Sequence, residues 1–329
     1  MEVEKIFAPV CIPTLSRYEH FKRCLESLER CTYADKTDVF VGLDYPPSEK
    51  YVNGWKKIDD YLAEKENHHG FKNLYVRRRD HNCGVGKLNS NSMLLYKEIS
   101  KSNDRYIFSE DDNEFSPNFL AYCNWGLEYC KKDERIIAIC SFNLLKTSLK
   151  TNNNVYIYNN AYCAWGSAFL IERKERLNSY YDFKKIKLLV DSYPLSIIFN
   201  RKVVLVGSLL YMLKKKVIQG DTILQVIPDD KKWCVFPTES KVRNWGLDGS
   251  GVHDGTDKSY QNQINLSIDM NSDFEPSIEE ELFSPEITNA FNAEFKANYR
   301  DWLRSIVRFT FYKLTGRIVL FDKPKWMNK

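Results

Sequence analysis

Nine cysteines are scattered through this 329-residue chain, an odd number with no CxxC spacing among them. Neither a zinc site nor a disulfide framework is therefore expected. Thiols inside apolar runs, such as Cys11 and Cys140, read as free and buried, as in a reducing compartment. Glycine-rich phosphate loops are missing as well: no GxGxxG and no GxxxxGK[ST] occurs, which removes a dinucleotide fingerprint and a P-loop. No stretch reaches the roughly 18 apolar residues of a membrane span, and MEVEKIFAPVCIP has neither the basic flank nor the long apolar centre of a signal peptide. A cytosolic protein is expected. Charge of one sign is also scarce, since 48 basic residues face 44 acidic ones for a formal +4, and no nucleic-acid footprint is expected.

What is present is core-forming. The chain is 43% apolar, with 20 Tyr, 19 Phe and 7 Trp, enough for one large domain or two smaller ones with concave, aromatic-lined sites.

The chain is organised around RYIFSEDDNEFSPNF, Arg105 to Phe119. Tyr106-Ile107-Phe108 predicts a buried strand ending in Ser109-Glu110-Asp111-Asp112, before a helix start at Ser116-Pro117. Three consecutive carboxylates repel one another unless a cation or a hydrogen-bond network offsets them. One reading is a site for Mg2+ or Mn2+ completed by substrate phosphates; the other is an acidic turn capping the next helix.

Four further strands are predicted in the first 141 residues, at 6–12, 38–43, 73–76 and 136–140, separated by helical patterns. Such alternation predicts an α/β fold with a mostly parallel central sheet, Rossmann-like, with helices on both faces. The first strand leads through Pro13-Thr14-Leu15-Ser16-Arg17 into a helix, so Thr14, Ser16 and Arg17 are candidates for nucleotide contact. The second strand ends at Asp44. The third ends in Arg77-Arg78-Arg79, followed by Asn82-Cys83-Gly84-Val85-Gly86-Lys87-Leu88-Asn89, which is either a glycine turn or a donor-rich diphosphate loop.

The second half is less regular. After a strand at 155–158, Asn159 to Ser167 carries Trp165 and Gly166 in a loop that either lays a ring against a sugar or packs on the core, with a helix following near 172–180. Asp221 begins a helix and reads as its N-cap. The strand 233–237 enters RNWGLDGSGVH, a donor-rich loop ending in His253. These features divide the chain into a catalytic unit at 1–256, with halves at 1–141 and 142–256, a polar linker at 257–285 and a basic helical region at 286–329. In that last region Trp302, Leu303, Ile306, Val307 and Leu314 recur at helical spacing, with Phe309, Phe311 and Tyr312 as a continuation and Arg300, Arg304 and Arg308 on another face. It suits either an anionic membrane surface, through residues 296–329, or packing on the core or a second subunit.

PTLSRYEHFKRCLESL, Asp44, NCGVG, YIFSEDDNEFSPNFL, AWGSAF and RNWGLDGSGVH follow one another in an order that resembles the GT-A nucleotide-sugar glycosyltransferases of the bacterial family 2-like branch, from Ile6 to His253. The EDD segment is also similar to that of the N-acetylglucosaminyltransferase I family. The resemblance implies a metal-dependent, inverting transfer of a hexosyl or N-acetylhexosaminyl group from a nucleotide sugar, UDP-linked by default. The acceptor would be a glycan or lipid-linked saccharide in capsule or O-antigen synthesis, at the inner face of the cell membrane. It implies Thr14, Ser16, Arg17 and Asp44 at the base and ribose, with Asn82, Lys87 and Asn89 toward the diphosphate. It further implies Glu110 and Asp111 as orienting groups, Asp112 and His253 at the metal, Asp221 as general base, and Trp165 and Gly166 near the sugar. The AWGS loop departs from the WGWATW of the bacterial branch, so acceptor contacts do not transfer. A sugar nucleotidyltransferase and an inactive carbohydrate-binding module are the competing readings.

Overall fold

A computed structural model of the chain describes residues 6–145, 149–200, 202–227, 229–250, 268–294 and 299–320. Its centre is an eight-stranded sheet. The first four sheet strands are β1 (Val10–Thr14), β2 (Asp38–Leu43), β3 (Asn73–Arg78) and β4 (Arg105–Phe108), with α1 (Tyr18–Glu29), α2 (Glu49–Lys65) and α3 (Asn91–Ile99) between them. Past β4 come β5 (Asn113–Phe115), α4 (Phe119–Cys130), β6 (Ile136–Cys140), β7 (Val155–Tyr158), β8 (Ser167–Leu170) and α5 (Ile171–Asn178). Then follow α6 (Phe183–Ser192), α7 (Val203–Lys215), α8 (Gly220–Leu224), β9 (Trp233–Pro237), β10 (Val242–Asn244), α9 (Pro285–Glu294) and α10 (Tyr299–Thr315).

The sheet order is β3-β2-β1-β4-β8-β6-β9-β7. Strands β1 to β4, β6 and β9 run one way, while β8 lies antiparallel between β4 and β6 and β7 antiparallel on the far edge. The predicted mostly parallel α/β fold is what the chain adopts. Away from the partly exposed edge strand β3, Val10, Ile12, Val39, Val41 and Ile107 are fully buried, as β-branched runs in parallel sheets are. Because β1 to β4 are parallel, Thr14, Asp44, Arg79 and the carboxylate run after Phe108 emerge along one edge.

Three strands depart from the sequence reading. Ser167–Leu170 lies in a stretch read as loop before a helix, yet it is a wholly buried central strand. Two three-residue strands, β5 and β10, pair antiparallel outside the main sheet. They join the segment after the EDD run to the start of the RNWG loop.

All nine cysteines are unpaired and buried. The polar stretch 268–284 straps the body: Asp269 accepts from Asn118 at 2.8 Å and pairs with Lys241, and Ile157 N donates to Leu282 O at 2.7 Å. Helix α10 docks on α7 where Gly207 meets Ser305 so closely that a β-carbon on the glycine would lie 2.4 Å from Ser305 Oγ. Phe309 and Tyr312, read as continuing a stripe that suits either a membrane surface or packing on the core, are buried on the body. Leu303, Val307, Phe311 and Leu314 remain exposed on the opposite side. Among the described residues no helix is long and apolar enough to cross a membrane.

Candidate active site

The EDD run bends at the end of β4 and drops into β5, which brings its carboxylates back over the β1–α1 turn. Thr14 Oγ1 donates to Asp111 Oδ2 at 2.8 Å. The Arg17 guanidinium pairs with Asp111 and reaches Asp112 Oδ2 at 2.7 Å. Asp111 and Asp112 are both largely buried, so their mutual repulsion is strong and Arg17 is the cation that offsets it. Burial opposes the charge on Arg17, but the two aspartates outweigh that and hold it more firmly protonated than usual. Glu110 has no such partner: burial and then the neighbouring Asp112 and Asp111 push its carboxyl up to about 8, against the weaker pull of Arg17 and a hydrogen bond from Trp165.

The RNWG loop supplies the other wall. Asn244 Nδ2 donates to Asp112 Oδ1 at 2.6 Å, and Trp245 N donates to Asp112 O at 2.8 Å. Gly246 then passes so close that an added β-carbon would stand 2.0 Å from Asp112 Oδ2 and 3.0 Å from an Arg17 nitrogen. His20 Nε2 lies 3.2 Å from both Trp245 O and Asp248 Oδ2, tying α1 to this loop. A cleft of about 350 Å3 opens beside Ser16 and Arg17, toward Asn53, Lys57 and Ser250.

Asp44 is occupied from within the chain. Its carboxylate accepts from Cys83 N at 2.9 Å, Gly84 N at 3.2 Å and Asn82 Nδ2 at 3.4 Å, fixing the NCGVGK loop against β2. Gly84 and Gly86 both take positive φ, and the Lys87 ammonium folds back over Gly84. Asn89 is exposed and accepts from Lys97 on α3 at 2.8 Å, so it is turned aside from the carboxylates. Of the basic triplet, Arg77 and Arg78 pair on the surface with Glu98, Asp59 and Glu66. Arg79 turns inward: Nε donates to Asn91 at 3.0 Å, and one terminal nitrogen is buried without a hydrogen-bond partner. That orphan makes Arg79 a candidate site residue which the triplet alone does not single out.

Trp165 packs edge-on against Phe142, with ring centroids 4.9 Å apart. Gly166 takes φ +64 where a β-carbon would meet Phe119 at 2.7 Å, so the AWGS turn is built by packing as well as facing Glu110. Asp221 does not cap its helix: Gln219 is the N-cap of α8, and Asp221 lies one residue inside it, exposed, on the side of Cys163. An acid in the first turn is favoured by the helix dipole and leaves its carboxylate open to solvent. His253 lies outside the described residues.

The chemistry of the donor set fits a hard divalent cation. Among the described residues no three His, Cys, Asp or Glu side chains converge as ready ligands. One or two carboxylates suffice, however, when phosphates and water complete the shell. Asp112 and the neighbouring Glu110 are the carboxylates that would hold such an ion.

No protein-family model matches the chain, and no curated protein does. Among solved structures it is similar to S. aureus TarS 1-349, with TM-score 0.43 and 10% identity over 98% of this chain and 78% of that one. It is similar to the same TarS fragment in complex with UDP-GlcNAc at TM-score 0.32 and 14% identity, over 45% of this chain and 39% of that one. Likeness to the mannosyltransferase PcManGT from Pyrobaculum calidifontis, in complex with GDP-Man and Mn2+, has TM-score 0.36 and 13% identity over 52% and 46% of the two chains. In these last two comparisons the matched part spans less than half of the neighbour. The fold assignment rests on the strand order itself.

Proposed function

We propose that this chain is a GT-A glycosyltransferase that moves a sugar from a nucleotide-sugar donor, UDP-linked by preference, to a hydroxyl of a glycan or lipid-linked acceptor in bacterial surface polysaccharide synthesis. The observation that carries the proposal is the meeting of Thr14, Arg17 and Glu110 to Asp112 at the carboxyl edge of four parallel strands, beside the Asp44-anchored loop 82–87. Ligands of open α/β sheets bind at that edge. The order of sequence motifs points to the same family.

In this proposal Thr14, Ser16, Arg17 and Asp44 border the nucleoside, while Arg79 and Lys87 meet the diphosphate. Mg2+ or Mn2+ held by Asp112, with Glu110 beside it and His253 as the further ligand that the motif order implies, would offset charge on the leaving diphosphate when bound. Asp221 takes the proton of the acceptor hydroxyl. The new bond from that oxygen to the anomeric carbon forms as the carbon–oxygen bond to the diphosphate breaks, and one displacement of this kind inverts the configuration. Support for a separate base is the solvent-open carboxylate of Asp221, which stands outside the buried EDD cluster. The exposed row Leu303, Val307, Phe311 and Leu314, with basic residues nearby, supports peripheral contact with an anionic membrane face.

The test is a thermal-shift screen against nucleoside diphosphates and nucleotide sugars with and without Mn2+, because a ligand of the native state raises stability by mass action. Metal-dependent stabilisation by one nucleotide, lost in Asp112→Ala, is the expected result. Indifference to every nucleotide would remove the transferase and leave a carbohydrate-binding module.

A further inference from the structure

His20 lies in the first turn of α1, three residues past Arg17, with its side chain 15% exposed. Its Nε2 stands 3.2 Å from Trp245 O and 3.2 Å from Asp248 Oδ2, both on the RNWG loop that walls Asp112. Two acceptors facing one ring nitrogen require that nitrogen to carry a hydrogen, which it does in the matching neutral tautomer and in the protonated ring. His20 is therefore a donor to the loop. Arg23, three residues further along the same face of α1, places its guanidinium 4.4 Å from the centre of the Trp245 ring, and Glu114 on β5 accepts from the indole nitrogen at 2.9 Å. Trp245 is thus fixed at its carbonyl, its ring and its indole nitrogen. Asp248 in turn accepts from Ser250 N at 2.9 Å, closing the turn that meets His20.

The hold on the carbonyl reaches the carboxylate cluster through one rigid unit. Trp245 O and Gly246 N belong to the same peptide group, which is planar and turns as one body. Gly246 N donates to Asn244 Oδ1 at 2.9 Å, and the other end of that amide, Nδ2, donates to Asp112 Oδ1 at 2.6 Å and to Asn113 Oδ1 at 3.0 Å. With its oxygen committed to Gly246, the Asn244 amide presents its nitrogen to Asp112. Trp245 N adds a bond to Asp112 O at 2.8 Å. We propose that His20 is a positioning residue for Asp112: by pinning the 245–246 peptide it sets the Asn244 amide, and so orients the carboxylate for a divalent cation. This rests on the transferase reading, in which Asp112 holds that cation. Its action runs through the loop.

The test is calorimetric titration of the full chain with Mn2+ alone. His20→Ala is expected to weaken Mn2+ binding about tenfold or more, the effect usual for a group that orients a metal ligand. His20→Gln, whose amide nitrogen reaches as far as the imidazole Nε2 and keeps a donor there, should restore it. A histidine that only fills space would be replaced as well by Phe as by Gln. Should His20→Ala fail to fold, His20→Phe, which retains a ring without a donor, is expected to show the same loss. Hydrogen exchange, read alongside, should speed up at the Trp245 and Gly246 amides in the variants lacking the donor, with the amides of β1 and β4 unchanged. Mn2+ affinity that is unchanged in His20→Ala or His20→Phe, or lost equally in His20→Gln, overturns the positioning role. A wild-type chain that binds no Mn2+ sinks the metal reading of Asp112 and this role with it, an outcome distinct from binding that ignores His20.

Discussion

Gly246 and Asp112 touch across the two halves of the chain: any β-carbon at 246 would lie 2.0 Å from Asp112 Oδ2, far inside van der Waals contact. The carboxylate is held by Asn244 and by Arg17, while Trp245 N holds the main-chain oxygen of the same residue. Gly246→Ala must therefore displace either the loop or Asp112. A shift of this size costs about 100-fold in turnover. Steady-state transfer, measured alongside a melting curve to establish that the fold persists, checks it.

Asp221 is exposed and lies outside the buried cluster, so its removal leaves that cluster whole. Asp221→Asn is expected to reduce transfer by about 10²–10⁴-fold, the usual contribution of a general base. Nucleotide affinity should be unchanged. Retained turnover with a natural acceptor would remove Asp221 from the mechanism.

Arg79 keeps a buried terminal nitrogen without a hydrogen-bond partner beside the loop that Asp44 anchors. A charge-assisted hydrogen bond contributes about 1.5–3 kcal/mol. Arg79→Ala should weaken nucleotide binding by at least tenfold, whereas Arg78→Ala, which removes only surface ion pairs, should change it little. Titration calorimetry with the nucleotide selected by the thermal screen compares the two.

Lys241 and Asp269 form an almost wholly buried pair between the strap and the site-bearing segment before β10. Burial alone would raise the Asp269 pKa, but hydrogen bonds from Lys241, Asn118 and Asn271 outweigh it and hold the carboxyl below its usual range. A depressed folded pKa means that the ionised carboxylate stabilises the fold above the unfolded value of about 4. That contribution disappears as pH falls through the folded value. Asp269→Asn should lower stability near neutral pH by about 3–5 kcal/mol, because Lys241 is left buried and unpaired. Its stability should also fall less steeply in acid. Urea unfolding from pH 3 to 7 measures both effects.

Leu303 and Val307 form part of the exposed row on α10, opposite the buried Phe309. If that row meets lipid, Leu303→Glu/Val307→Glu should abolish co-sedimentation with anionic vesicles without lowering the melting temperature. Unchanged partition would end the membrane role of this helix.

The alternation of apolar runs and amphipathic helices specified β1 to β4 and the edge on which the EDD run emerges. Those signals are local, and period and composition carry them. SAFL was illegible for a physical reason: four buried residues have no period, and their strand character comes from the partners β4 and β6 on either side. The β5–β10 pair is shorter still, and 126 residues separate Phe115 from Val242.

The same division runs through the candidate site. Residue type and order, read in the sequence, selected Thr14, Arg17, the three carboxylates and Asp221. Tertiary structure decided which charges are neutralised and by whom. Arg17 is drawn onto two aspartates, Asp44 is committed to its own loop, Asn89 is turned away, and Arg79 alone of its triplet faces inward. Such choices depend on distances across the fold, where burial makes an unpaired charge costly, and no local pattern encodes them.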